Sequence, residues 1–114
     1  MASWRDIDAS LQPEHLKRLV QLPCNFVVSN QFGPRFVCKL YTRPELGRHI
    51  VSLSPGERFA VDLFVRVEDS KGRVRVVGRL SDELWCNVVV NYNKDGVLRD
   101  RAFWYARPEA ECSS

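Results

Sequence analysis

The chain has 114 residues, of which 45% are hydrophobic, 11% aromatic and 27% charged. This hydrophobic share is enough for a folded domain and too high for a disordered chain. A membrane-spanning helix needs roughly 20 consecutive apolar residues, and no such run is present, so we expect no membrane partner. The net charge is only +3, and this mild excess of Lys and Arg does not by itself predict nucleic-acid binding.

The chain shows no internal repeat and no linker, so the sequence predicts a single domain over residues 1–114. A helical cover is expected at 3–22, a β core at 24–106 and a short tail at 107–114. The first eight residues carry two acids, Asp6 and Asp8, and no long apolar run, which is unlike a signal peptide. We therefore expect an intracellular protein, cytoplasmic or nuclear, with its four cysteines reduced.

Helical spacing occurs only before Pro23. Trp4, Ile7 and Leu11 recur at helical intervals, and Leu16 and Leu19 continue the pattern. A proline at position 13 suits the first turn of a second short helix better than the middle of one long helix. The pattern predicts one helix, or two short ones, packed against another element.

After Pro23 the pattern becomes extended. Short β-prone runs at 26–28, 36–40 and 49–53 are separated by turns rich in Gly and Pro. The clearest strand begins at Arg58, where apolar and polar residues alternate. The residues predicted to face inward along it are Phe59, Val61, Leu63, Val65 and Val67, with Arg58, Asp62, Arg66 and Glu68 on the wet face.

Two hairpins follow in the second half of the chain. A turn at 69–72 leads into a strand whose inward residues are Val74, Val76 and Leu80, and a turn at 93–96 joins strands at 84–92 and 97–106. The predicted fold is mainly β, an antiparallel β-sandwich or small barrel of about six to seven strands. Its C-terminal half is a meander, and one or two short N-terminal helices cover it.

Catalytic and metal-binding residues are not evident. His49 is a candidate base for Cys38 or Cys86, but both cysteines fall at inward positions, where a free Cys behaves as a small hydrophobe. Cys24 and Cys38 are fourteen residues apart, which is not the close pairing of a structural zinc site. We therefore expect no enzyme activity, no metal, no cofactor and no small-molecule substrate.

A group of cations without an intervening acid lies between residues 70 and 81. Alternation places its three arginines on one face, where they could hold phosphates while Tyr41, Trp85 or Tyr105 stack on bases. In the alternative interpretation they pair with Asp62 and Glu68 on the preceding strand. The residues of this predicted nucleic-acid surface are Lys71, Arg73, Arg75 and Arg79.

Aromatic residues cluster on the strand at 97–106, which we predict to be a sheet edge. Adjacent residues of a strand face opposite sides, so this cluster must place at least one large ring outward. Trp, Tyr and Arg are enriched at binding hot spots. The predicted protein interface consists of Trp85, Arg99, Arg101, Phe103, Trp104 and Tyr105. Alternatively, these rings cover the core and pack on the N-terminal helix.

The sequence thus favours a non-enzymatic interaction or accessory protein. It would bind a protein partner, or a second copy of itself, through an edge strand and the aromatic and Arg surface. The alternative is an accessory protein that binds RNA or single-stranded DNA through the Arg face.

Overall fold

One helix and ten strands make up the part of the chain that the computed structural model describes, residues 11–45, 47–68, 73–91, 93–94, 97–98 and 102–109. The elements are α1 (Pro13–Leu19), β1 (Cys24–Val28), β2 (Cys38–Tyr41), β3 (His49–Leu53), β4 (Arg58–Glu68), β5 (Val74–Leu80), β6 (Trp85–Asn91), β7 (Asn93–Lys94), β8 (Val97–Leu98), β9 (Phe103–Trp104) and β10 (Ala106–Pro108).

The helix α1 begins where the sequence predicts, with Pro13 in its first turn. Its buried residues, Leu16 and Leu19, face the sheet, and Val20 is already extended. The predicted helical positions Trp4 and Ile7 lie outside the described residues. Within those residues, no helix has the length and apolar character needed to cross a bilayer.

Eight of the strands form one antiparallel sheet in the order β10-β1-β4-β5-β6-β2-β3, with β9 also paired to β6. β7 and β8 form a separate two-stranded sheet. Only Tyr105 separates β9 from β10. Its N–H donates to the carbonyl of Val88 on β6 at 2.8 Å, and its carbonyl accepts from Ser29, just after β1, at 2.9 Å. Residues 103–108 therefore bridge β6 to β1 and close β1, β4, β5 and β6 into a barrel. The predicted mainly-β antiparallel fold with an N-terminal helix is confirmed.

The core fills the inside of this barrel. Phe26 is fully buried, and its ring stacks on Phe59 at 6.1 Å and meets the edge of Phe64 at 5.8 Å. Aliphatic residues and thiols of the facing strands complete the core: Val61, Val76, Cys86, Val88 and Val89 are each fully buried.

The predicted inward face of β4 is correct only as far as Val61. Val61 pairs with Leu80 and Leu63 pairs with Arg79, so Asp62 is an extra residue, a β-bulge. Beyond it the phase is reversed. Phe64 takes the inward position opposite Gly78, while the expected inward residues Leu63, Val65 and Val67 lie on the outer face.

The bulge also moves the charged residues of β4. Arg66 and Glu68, predicted on the wet face, pair with the inward residues Val76 and Val74. Their side chains approach each other at 3.9 Å near the end of the barrel. By this register Glu68 lies opposite Val74, on the face away from the one that carries the arginines of β5.

Two predictions about the last strand are wrong. The predicted strand 97–106 is divided: β8 pairs with β7, β9 pairs with β6 and Ala106 pairs with β1, while residues 99–101 lie outside the described residues. Its described part at 103–106 links β6 to β1 and is not a free edge. Nor does the β core stop at residue 106, since β10 reaches Pro108 and the N–H of Glu109 donates to Asn25 at 2.8 Å. Of the turn predicted at 93–96, Asn93 and Lys94 are instead strand residues that form β7 and pair with β8, and residues 95–96 lie outside the described residues.

The free edge of the sheet is instead β3. It pairs with β2 alone among the described strands, and β2 reaches the barrel through only two residue pairs with β6, Leu40↔Cys86 and Tyr41↔Trp85. The β2–β3 hairpin is therefore attached to the barrel at one end of β6.

Candidate binding surfaces

The aromatic strand at β9 divides between the core and the surface, as alternation predicts. Trp104 is only 5% exposed and belongs to the core, so its predicted place in a protein interface is corrected. Phe103 is 37% exposed, and Tyr105 is half-buried. Arg99 and Arg101, the other residues predicted there, lie outside the described residues.

Phe103 and Tyr105 lie against rings from the loop that follows β1. Phe32 is 5.5 Å from Tyr105 and 6.2 Å from Phe103, measured between ring centroids, and Phe36 is 5.4 Å from Tyr105. The sequence indicated only a turn at 30–34. These four rings form an outer aromatic cluster, in which Tyr105 packs against two rings of its own chain, Phe32 and Phe36.

The predicted Arg surface is not a continuous exposed stripe. Arg75 is only 6% exposed, and Lys71 lies outside the described residues. Arg79 Nε donates to Asp62 Oδ1 at 2.9 Å, and its Nη2 lies 3.5 Å from Oδ2. The bond to this carboxylate raises the pKa of Arg79. The alternative interpretation, pairing across the hairpin, is therefore confirmed for Arg79 with Asp62.

A row of side chains crosses the outer face of the sheet. Strand register pairs His49 with Tyr41, Tyr41 with Trp85 and Trp85 with Arg79. Paired residues of antiparallel strands share a face, and their Cβ atoms lie about 5 Å apart. We call His49, Tyr41, Trp85 and Arg79 the outer row.

The rings of the outer row are accessible. His49 is exposed, while Tyr41 and Trp85 are half-buried. The Tyr41 and His49 rings lie 6.1 Å apart, and His49 Nε2 is 2.9 Å from Ser52 Oγ. Burial and Cys38 raise the pKa of Tyr41, and Arg75 and Arg73 act in the opposite direction. Both guanidinium groups are therefore within electrostatic reach of this ring.

Exposed apolar side chains concentrate on the β2–β3 hairpin. Among the described residues the large exposed hydrophobic side chains are Val37 (40%), Ile50 (58%), Val51 (44%) and Phe103. Val37 immediately precedes β2, whereas Ile50 and Val51 belong to β3. Sequence analysis missed this site because the run at 49–53 resembles any short strand, and only the sheet order shows that it is an edge.

The proposed thiol–imidazole pair is not assembled. Cys38 and Cys86 face the core, whereas His49 lies on the outer face. A hydrogen bond with Cys38, and then burial, raises the pKa of the Cys86 thiol well above its ordinary value, which is unlike a nucleophile. The described residues contain no group of three or more His, Cys, Asp or Glu that could hold a metal ion.

Comparisons with protein-family models, with curated proteins and with solved structures give no match for this chain. Its function is therefore argued from the two surfaces above, the β3 edge and the outer row.

Proposed function

We propose that this chain is a non-enzymatic binding protein that accepts an extended protein segment along β3, from a partner or from a second copy of itself. The observation that supports this proposal is the position of the exposed apolar side chains. Of the four found among the described residues, Ile50 and Val51 lie on β3, and Val37 immediately precedes β2.

An edge strand presents backbone N–H and C=O groups that can pair with another strand. Proteins commonly protect such edges with Lys, Pro or other charged residues, and residues 50–53 contain none of them. A bulge at Ile50 interrupts the pairing of β3 with β2, so the regular part of the edge is Val51–Leu53. The backbone of Val51–Leu53 would form hydrogen bonds with an added strand and so provide affinity. The exposed side chains of Ile50 and Val51 would contact its side chains and provide specificity.

The proposal includes an intracellular location. Cys38 and Cys86 are free thiols, which is typical of a reducing compartment.

The test compares the double variant Ile50→Lys/Val51→Lys with the matched control Phe103→Lys. The control changes the fourth exposed apolar side chain, which lies on β9, away from the edge. Sedimentation of the pure protein over a range of concentrations measures self-association. Affinity purification with nuclease treatment identifies foreign partners, and each is then titrated as a purified protein.

If β3 is the binding edge, the double variant weakens self-association or binding of the purified partner by about tenfold or more. The control retains the wild-type affinity. The proposal is wrong if every interaction found is equally strong in the folded double variant, or if binding is lost only in Phe103→Lys.

A further inference from the structure

The outer row has the composition of a surface that stacks on bases. Two aromatic rings from neighbouring strands, Tyr41 and Trp85, stand side by side on the outer face. His49 extends the row on one side and Arg79 on the other. Proteins that bind single-stranded nucleic acid combine such rings with cations along the backbone path.

We propose that the outer row binds single-stranded nucleic acid, with successive bases stacked on Tyr41 and Trp85. Stacking is tolerant of sequence because every base has a π face, so the proposed ligand class is any unpaired strand. The inference uses residues other than the β3 edge and does not depend on the protein-binding proposal.

Charge complementarity favours this ligand. Lys39 is exposed and lies two residues before Tyr41 on β2, which places it on the same face. Arg73, which is half-buried, and the nearly buried Arg75 also act on Tyr41. The carboxylates that act on the Arg79 end of the row are Asp62, which is bonded to Arg79, and Glu83. Lys39 and Arg73 therefore make the Tyr41 end of the row the side that attracts phosphate.

Arg79 has a positioning role in this arrangement. Its guanidinium is bonded through Nε and Nη2 to Asp62, and it follows Trp85 in the row. The carboxylate of Asp62 neutralises the charge of Arg79, so Arg79 is not the main phosphate contact. It forms the end of the stacking surface next to Trp85. This differs from an interface that depends on a stripe of free arginines on β5.

The geometry also favours a single strand over a duplex. A base can stack on a protein ring only if its face is uncovered, and paired bases within a helix are covered by their neighbours. Side chains at paired positions on adjacent strands are about 5 Å apart, and this spacing suits bases that are splayed along an extended nucleic-acid backbone. A duplex of equal length should therefore bind less tightly than either single strand.

The experiment titrates the full chain into fluorescein-labelled oligo-U RNA, oligo-dT DNA and a duplex, each of about 12 nucleotides, at about 50 mM salt. Fluorescence anisotropy gives the dissociation constants. The variants are Trp85→Ala, Tyr41→Ala and the conservative Trp85→Phe, with Phe103→Ala as an exposed ring outside the row. Circular dichroism confirms that each variant is folded, and Tyr41→Ala provides a separate test if Trp85→Ala does not fold.

The proposal is supported if the protein binds either single strand and if this binding weakens with salt. In Trp85→Ala or Tyr41→Ala the affinity should fall roughly five- to 150-fold. Trp85→Phe and Phe103→Ala should stay within about threefold of the wild-type affinity. The proposal is overturned if neither strand binds below about 100 µM, if the duplex binds equally well, or if folded ring variants bind normally. The uncharged variant Ile50→Ser/Val51→Ser, which removes the same apolar side chains from the β3 edge, should bind oligonucleotides normally, and this separates the present test from that of the β3 edge.

Discussion

Asp62 accepts a hydrogen bond from Arg79 at 2.9 Å, and the same residue is the bulge that reverses the phase of β4. The bulge allows Val61 and Phe64, three residues apart, both to enter the core. The backbone of Asp62 and its side chain therefore have separable roles. The bulge sets the core, and the carboxylate anchors one exposed arginine.

Deleting Asp62 should leave the fold intact and lower the melting temperature only modestly, as should Asp62→Ala. Because Asp62 is the extra residue of the bulge, its removal joins Leu63 to Val61 and keeps Leu63 opposite Arg79 and Phe64 opposite Gly78. The exposed ion pair contributes little, and salt screens it. Thermal melts followed by circular dichroism compare the two variants. Loss of cooperative folding in the deletion alone would show that the bulge itself is required.

Gly78→Ala should destabilise the protein by about 1–3 kcal/mol. A Cβ at this position would lie 3.0 Å from a methyl group of Val61 and 3.1 Å from one of Val88, both in the core. Gly47→Ala is the matched control, because its Cβ would meet side-chain atoms only at 3.4 Å and beyond. Urea denaturation measures both free energies of unfolding.

A double-variant cycle tests the cause of the Gly78 effect. If crowding is responsible, Val61→Ala should cost less in the Gly78→Ala background than in the wild type, because it removes the two closest methyl groups. Additive free energies would contradict this explanation.

Asn87→Leu should raise the free energy of unfolding by about 1 kcal/mol. The Oδ1 atom of Asn87 is buried and has no hydrogen-bond partner among the described residues. A leucine of similar shape removes this unpaired acceptor. Asn91→Leu is the control, since Asn91 is fully buried and has an interaction partner, and its replacement should be destabilising. A loss of stability in Asn87→Leu would show that its amide is satisfied in solution.

Cys86 should resist alkylation in the folded protein at pH 8, while Cys24, which is half-buried, should react first. The thiolate is the reactive form, and the hydrogen bond with Cys38 together with burial raises the pKa of Cys86. Iodoacetamide labelling followed by mass spectrometry, with and without denaturant, identifies the modified residues. Labelling of Cys86 at the same rate as Cys24 without denaturant would contradict the assignment.

The same shift predicts the pH dependence of stability. A thiol whose pKa is higher in the folded state favours folding below its unfolded pKa, which is about 8.5. This contribution is lost as the pH rises through the folded value. Tyr41, whose pKa is also raised, acts in the same direction at still higher pH. The melting temperature should therefore fall on the alkaline side, and less steeply in Cys86→Ala, in which one of the two groups is absent.

Much of the fold could be predicted because most strands carry clear alternation between turns of Gly, Pro, Asn and Asp. The face of β4 could not be predicted, because a bulge leaves no gap in the alternating sequence. Phe64 was the available signal: on the predicted phase a large aromatic ring lies on the wet face. The bulge at Val88 has the same effect on β6, where Val90 pairs with Arg75 on the outer face.

The candidate surfaces were less predictable than the fold. Arg73, Arg75 and Arg79 do alternate on one strand, but their burial and pairing depend on tertiary contacts. The aromatic strand has the right residue types for an interface, but Trp104 fills the core and Phe32 covers its neighbours. Only strand order could show that the exposed edge is β3, because edges are set by long-range pairing.

Closure of the barrel by residues 103–108 has a consequence for synthesis. The ribosome makes β1, β4, β5 and β6 before this segment, so the nascent sheet has two open strand edges until β9 and β10 emerge. Such edges are templates for pairing with other chains. A released chain that ends near residue 100 would therefore be prone to aggregation, although it contains nearly all of the described core residues.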